Sequence, residues 1–378
     1  MLRPPWLVWV CSGTLAAQTF IVDGQNGPGT AFTSIAAAVA AVPDGAVLDV
    51  FPGTYGGFTI AAKGLTLLAR PGVVISGPGS TTIVLVSNLG PSQGVTLSGL
   101  SVRGTSVASA IGCFANQGPV VLQSCEAVPH PNAPGGGYLV ATDCAQMWIV
   151  DSVFRPMSSA PITANQSRIR VSRTVCEAPG VVNPGILLNG SDCELSDCTV
   201  SGSGTAPATA ALALWTGTCR AWLRGATSLV TNQSPTLTGP AIGGAGIVVV
   251  DPAVQLSSNG AATTLGIQLT ARAMPVVDWV PPSVGGAAHA SLLVPANGIG
   301  GLFAGFAAAG ATVAPFAEWV FVDAGSGVGL GSGTGTVAAT FPVPATPQLR
   351  GVRIAWQGWS YDPIHGFQAS NAIVMAVR

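Results

Sequence analysis

The chain has 378 residues, enough for two or more domains and a large buried core. Only 8% of them are charged and the formal net charge is -1, which excludes a basic nucleic-acid surface and an acidic solubilising tail. Gly 50 and Pro 29 stand beside 48% hydrophobic residues, so the composition describes short strands and tight turns rather than a disordered chain, and the class reads as all-β.

Residues 1–17, MLRPPWLVWVCSGTLAA, place Arg3 ahead of a short apolar run from Trp6 to Val10 and close on Ala16 and Ala17, the layout of a signal peptide. Cleavage near Ala17 implies secretion or display at the cell surface; the competing reading is a buried first strand. No segment reaches the roughly 18 uninterrupted apolar residues of a membrane helix, so no membrane span is expected. The next stretch, AFTSIAAAVAAVPDG, offers Thr33 as an N-cap, Ile35, Val39 and Val42 at helical spacing, and Pro43 as a stop. A short helix there would cover the open first coil of a stacked structure. Lys63, the single lysine against thirteen arginines, reads as a coding bias.

From residue 95 onward the chain repeats. The segments GVTLSGLSV, PVVLQSCEA, QMWIVDSVF, RIRVSRTVC, DCELSDCTV and CRAWLRGATS align on Leu97, Leu122, Ile149, Val171, Leu195 and Leu223, in steps of 25, 27, 22, 24 and 28 residues. That period is one coil of a β-solenoid. Two before the anchor stand Val95, Val120, Met147, Ile169, Cys193 and Ala221; three after stand Leu100, Cys125, Ser152, Thr174, Cys198 and Ala226. Both columns are small or apolar and should point inward, with a bend between them. The column five after, Val102, Ala127, Phe154, Cys176, Val200 and Ser228, is also expected mainly inward. Six before the anchor, Asn116, Asp143, Asn165 and Asn189 suggest a stacked amide ladder at a turn, while Asn165 and Asn189 also match glycosylation sequons. Without Cys11 seven cysteines remain, an odd number with no CxxC pair and no zinc-type Cys/His spacing, so they read as buried thiol fillers and no metal or cofactor is expected.

Residues 32–69, with PGTY at Pro52 to Tyr55 and the glycine–apolar–threonine–apolar strand at Gly64 to Leu67, resemble the opening of right-handed parallel β-helix proteins of the pectin lyase-like superfamily. The resemblance and the repeats together cover about residues 20–258. It implies a capping helix followed by a right-handed parallel β-helix, and it speaks to fold far more than to chemistry. Polysaccharide-cleaving members use paired aspartates on neighbouring coils, a Gly-His-Gly turn or a calcium-binding aspartate cluster. No Gly-His-Gly occurs here, and no residue of those motifs carries over.

The alignment also orders the charges. Arg168, Asp192 and Arg220 share the column three before the anchor, Arg170 and Glu194 the column one before, Asp151, Arg173 and Asp197 the column two after, and Arg155 and Glu177 the column six after. Neighbours alternate in sign, which suits a stacking ladder at about 4.8 Å between coils and penalises slipped registers. The catalytic alternative uses Asp151 and Asp197, two coils apart at about 9.6 Å, as the carboxylate pair of an inverting hydrolase or a lyase, with Arg173 binding an acidic sugar. Arg173 between them opposes that reading, because it holds both carboxylates ionised while a general acid needs a raised pKa. Trp148 and Trp222 share an outward column and are either sugar platforms or covers beneath loops.

After residue 260 the coil register is lost. Strands such as LGIQLTARAM, HASLLV, EWVFVDA, GTVAATFPV, RGVRIAWQGWSYD and NAIVMAVR, separated by Gly/Pro turns, predict a β-sandwich or jelly-roll-like domain over 261–378. Pro347, Leu349, Gly351, Gln357, Asp362, Ser370 and Asn371 follow a course similar to modules that end many secreted bacterial β-helix proteins. His289, Asp278 and Ser291 make a triad only on paper, and Trp356, Trp359 and Tyr361 are core or platform. The expectation is therefore a signal peptide over 1–17, a right-handed parallel β-helix over 18–260 and a β-sandwich over 261–378. Its expected role is non-catalytic carbohydrate interaction or scaffolding, with a polysaccharide or cell-surface glycan as partner; the alternative is a polysaccharide lyase or glycoside hydrolase acting through Asp151, Arg173 and Asp197.

Overall fold

The computed structural model describes residues 18–77, 82–104, 109–129, 138–156, 159–178, 183–203, 209–231, 239–258, 262–312, 316, 319–322 and 326–378. The expected signal segment lies outside them. The chain is all-β, a parallel β-solenoid of about 8 turns followed by two antiparallel sheets.

Each middle coil has three arms, as in Ile162–Asn165, Arg168–Ser172 and Val175–Glu177, repeated one coil later by Ile186–Asn189, Asp192–Ser196 and Thr199–Gly202. Leu97, Leu122, Ile149, Val171, Leu195 and Leu223 pair in that order in the second arm, so the apolar register holds to the residue. The column extends back through Leu67 and Leu48 to Phe20 and forward to Val250. These side chains form one continuous core along the axis. The first coil is covered by α1, Ile35–Ala41, which buries Ile35, Ala38 and Val39. Its N-cap is Ser34 rather than Thr33, with the Ala37 N–H donated to Ser34 Oγ at 3.1 Å. Lys63 has a structural reason beyond coding bias: its Nζ donates to the carbonyls of Val39 at 2.7 Å and Val42 at 2.8 Å, closing the helix C-terminus.

Two corners join the arms, and both use left-handed backbone. At the first corner the left-handed residues are Ala62, Asn88, Ala115, Asp143, Gln166 and Gly190; at the second they are Gly99, Ser124, Asp151, Arg173, Asp197 and Gly225. In the coils from Leu89 to Cys198 the residue after the corner turns inward and interrupts the strand ladder, which leaves backbone groups needing partners. Side chains from neighbouring coils supply them. The Cys144 N–H donates to Ser167 Oγ and the Ser167 N–H to Ser191 Oγ at the first corner; the Cys125 N–H donates to Ser152 Oγ and the Ser152 N–H to Thr174 Oγ1 at the second. Cys125, Cys144, Cys198 and Cys219 donate their thiols to carbonyls of the preceding coil, at Leu97, Cys113, Val171 and Leu188. All seven cysteines described are buried and free, as the filler reading expects, with this bonding role added.

Two column assignments need correction. Counting six back from the anchor crosses the first corner, whose length varies from coil to coil. Only Asn165 and Asn189 therefore stack, with Asn189 Nδ2 3.5 Å from Asn165 Oδ1; Asp143 is itself a corner residue, and Asn116 points inward to Val86 O and the Leu89 N–H. At the second corner the Leu223 coil has a two-residue turn, Gly225 and Ala226, where the other aligned coils have one. Ala226 is exposed, and Thr227 and Leu229 take the inward places expected of Ala226 and Ser228.

Parallel pairing continues through Gln268–Ala271 against Ile247–Val250, past the expected boundary at 260. Then Val276–Val280, Ala287–Leu293 and Thr336–Pro342 form a three-stranded antiparallel sheet, facing a six-stranded one that includes Ile299–Thr312, Arg353–Asp362 and Ile373–Ala376. Gln357, Ser370 and Asn371 pin this module internally. Gln357 bonds the Phe321 N–H and Ser370 O, Ser370 Oγ accepts the Gly358 N–H, and Asn371 bonds both backbone groups of Val277.

The module lies across the outer face of the second arm. Val121, Trp148 and Val150 point out of the solenoid, yet they share a buried cluster with Trp279, Leu292, Phe321 and Trp356. Around them, Gln123 Oε1 accepts the Ala376 N–H, Arg378 donates to Ser98 Oγ, and Arg350 Nη1 lies 3.3 Å from Asp49.

Candidate functional site

Of the residues singled out from the sequence, Trp148 lies on the covered face, and Asp151, Arg173 and Asp197 lie at the second corner beside it. Trp148 is 0% exposed and meets Phe321 edge-on with centroids 5.5 Å apart, so it offers no surface to a sugar. Trp222 is half-buried, in register with Glu194 on the coil before it. Glu194 lies 3.5 Å from Arg170 Nε and 2.8 Å from Arg224 Nε, and Arg170 stacks over Phe321 at 3.8 Å. Burial pulls the Arg170 guanidinium down to about 10, against the opposing field of Glu194.

Asp151, Arg173 and Asp197 occupy equivalent second-corner positions, at φ 51°, 45° and 55°. Aspartate tolerates this backbone well, which is one reason for its recurrence in the column. Arg173 is bidentate to Asp151, with Nε 2.7 Å from Oδ1 and Nη2 2.9 Å from Oδ2. Its Nη1 donates to Asp278 Oδ1 at 3.1 Å and to Trp279 O at 2.6 Å, and the guanidinium stacks on the Trp279 ring at 3.8 Å. Four of its five N–H groups are thus engaged. Asp197, expected to pair with Arg173, instead accepts the Ala226 N–H at 2.8 Å across the widened corner. Burial raises its carboxyl above the usual range, aided by the nearby Asp278 charge and opposed by the Ala226 hydrogen bond and the Arg173 field. Arg173, held by Asp151, therefore bridges the solenoid to the C-terminal module, while Asp197 is bonded within the second corner. His289, Asp278 and Ser291 do not form a triad: His289 Nδ1 bonds Thr340 Oγ1 at 2.7 Å, and Asp278 belongs to the bridge. Trp356 is core, while Tyr361 is 39% exposed beside Phe367.

An open site lies at the first corner. A groove of about 660 Å³ runs across successive coils and is lined by Gln166, Arg168, Asp192, Thr218, Arg220 and Ile247, with glycine at positions 190 and 217. Arg168, Asp192 and Arg220 stand in register on adjacent coils. Arg168 Nε lies 3.9 Å from Asp192 Oδ2, and the Arg220 charge also acts on Asp192. Burial nevertheless raises the Asp192 carboxyl above its ordinary range. In the strand Leu212–Arg224 the register shifts between Leu214 and Cys219, so the turn at Trp215–Thr218 stands out from the coil. Thr216 Oγ1 accepts the Gly190 N–H at 2.9 Å and lies 3.1 Å from Thr218 Oγ1, which fixes this turn beside the groove. Trp215 is 66% exposed there.

Sequence reasoning placed Arg168, Asp192 and Arg220 in one column but read them as a stacking ladder, and it passed over Trp215. The available signal was the long 28-residue step to Leu223, which marks extra residues at a corner. Among the described residues, no group of three or more His, Cys, Asp or Glu side chains could hold a metal ion. No described helix is long and apolar enough to cross a membrane. Comparison with protein-family models, curated proteins and solved structures gives no match.

Proposed function

We propose that the protein is exported and acts without catalysis, presenting the first-corner groove of its solenoid to a carbohydrate chain. The observation that carries this reading is Trp215, exposed on a pinned turn beside a groove lined by arginine, amide and hydroxyl groups. An aromatic face covers the apolar side of a sugar ring, and such polar groups bond its hydroxyls. The stacked parallel coils and the helix over the first coil support a pectin lyase-like β-helix, and the C-terminal sheets support a module of the kind that ends secreted bacterial β-helix proteins. Arg173 and Asp151 then serve assembly rather than chemistry, because their polar atoms are spent on each other and on the module.

A glycan array probed with the mature protein tests this reading. Binding to at least one glycan class, lost in Trp215→Ala with an unchanged unfolding temperature, is the expected outcome. Degradation of a polysaccharide by the wild type that disappears in Asp197→Asn would establish the lyase or hydrolase reading instead.

A further inference from the structure

We propose that the first-corner groove selects an anionic polysaccharide carrying one acid group on every second sugar. This rests on the carbohydrate reading above and narrows it by charge spacing. Arg168 and Arg220 lie two coils apart with Asp192 on the coil between them. Two coil spacings are about 9.6 Å at the backbone, about the length of one disaccharide unit. Each guanidinium presents a planar fork suited to a carboxylate or sulfate. A chain lying along the groove with acid groups at disaccharide spacing meets an arginine at each acid and Asp192 at the neutral sugar between. A chain with an acid on every sugar instead sets its middle carboxylate against Asp192, and like charges brought together at a binding surface discriminate against that ligand. Asp192 thus acts as the excluding element, and the arginines as the attracting pair.

The rest of the groove fits the same occupant. From Ala145 to Ile247 it crosses five successive coils, about 19 Å of solenoid, room for more than one disaccharide. Gln166 and Thr218 flank the charged column and suit the hydroxyls or amide of an uncharged sugar, and Trp215, outside the groove lining but exposed on the turn that carries Thr218, offers a stacking face at its edge. The site is open and carries charged and polar groups, unlike the second-arm face beneath the C-terminal module.

The test compares three oligosaccharides of equal length by calorimetry. These are hyaluronan, whose uronate alternates with a neutral N-acetylhexosamine, oligogalacturonate, with a carboxylate on every sugar, and a neutral cello-oligosaccharide. Hyaluronan should bind on the order of tenfold more tightly than oligogalacturonate, and Arg220→Gln should lower its affinity on the order of tenfold. Asp192→Asn should narrow the preference by raising oligogalacturonate affinity. A sulfated alternating chain provides a parallel arm: tighter binding of it than of hyaluronan assigns the acid as sulfate, weaker binding as carboxylate. Thermal unfolding of each variant at the wild-type temperature shows that the fold is retained, and Arg220→Lys keeps the charge should Arg220→Gln unfold. Equal binding of oligogalacturonate and hyaluronan, or an unchanged ratio in Asp192→Asn, overturns the proposal. If the neutral oligosaccharide binds as tightly as hyaluronan and depends on Trp215 alone, the charge-spacing inference fails while the carbohydrate reading stands; if none of the probes binds, both fail.

Discussion

Arg173 holds a left-handed backbone at φ 45°, a conformation that costs a residue other than glycine about 1–3 kcal/mol. Its bidentate pairing with Asp151, its bonds to Asp278 and Trp279 and its stacking on the Trp279 ring offset that strain. At the same scale the cysteines behave as hydrogen-bonding residues of the corners, where Ser152, Thr174, Ser167 and Ser191 do equivalent work on neighbouring coils. Burial raises Cys125 to about 11 and Cys198 to about 12 from an ordinary 9.0. A thiol whose folded pKa is raised contributes stability that is fully present below pH 9 and is lost as pH rises through 11 and 12, because the unfolded chain ionises first. The denaturation midpoint should therefore fall as pH climbs above 9, and Cys198→Thr should flatten that fall. The native thiols should also stay silent to a disulfide-exchange reagent at pH 8 until denaturant is added. Rapid labelling of the native protein would contradict this account.

At the scale of elements, the join between solenoid and module turns on Arg224. It is 1% exposed, its Nη1 donates to Pro275 O and Ala369 O, and its Nε lies 2.8 Å from Glu194 Oε1 as an ion pair. Arg224→Ala leaves Glu194 without its nearest partner beneath the module, an expected loss of about 3–5 kcal/mol. Equilibrium unfolding in urea measures it, and a loss below about 1 kcal/mol would show that water replaces the guanidinium. The second arm was legible in the sequence because its interior repeats one apolar pattern coil after coil, so Leu97 through Leu223 could be aligned without the corners. The corners were less legible, since one inserted residue at Ala226, or a longer approach to Met147, moves no apolar anchor. The covered face was illegible for a different reason. Val121, Trp148 and Val150 point away from the coil interior, and their burial depends on a domain more than a hundred residues later. Trp148 consequently resembled an exposed platform, while Trp215, on an irregular turn, fell outside the repeat.

Over the whole molecule, a buried cluster contains residues of both the solenoid and the module. The two should therefore unfold in one transition, and a chain ending at residue 271 should expose Val121, Trp148 and Val150. Self-association of that truncated chain, measured by light scattering together with binding of a hydrophobic dye, is the expected result. A monodisperse truncated solenoid would show that the interface is dispensable. The contacts of the module reach from Asp49, near the first coils, to Arg224, near the last. Solenoids elsewhere can gain or lose a coil and simply become longer or shorter. Here the second domain works as a ruler laid along the stack, so an added or deleted coil would carry Asp49 or Arg224 about 4.8 Å out of reach of its partner. The number of coils is thereby set by the span of a separate fold, and length variation in this architecture should be confined to corner loops outside that span.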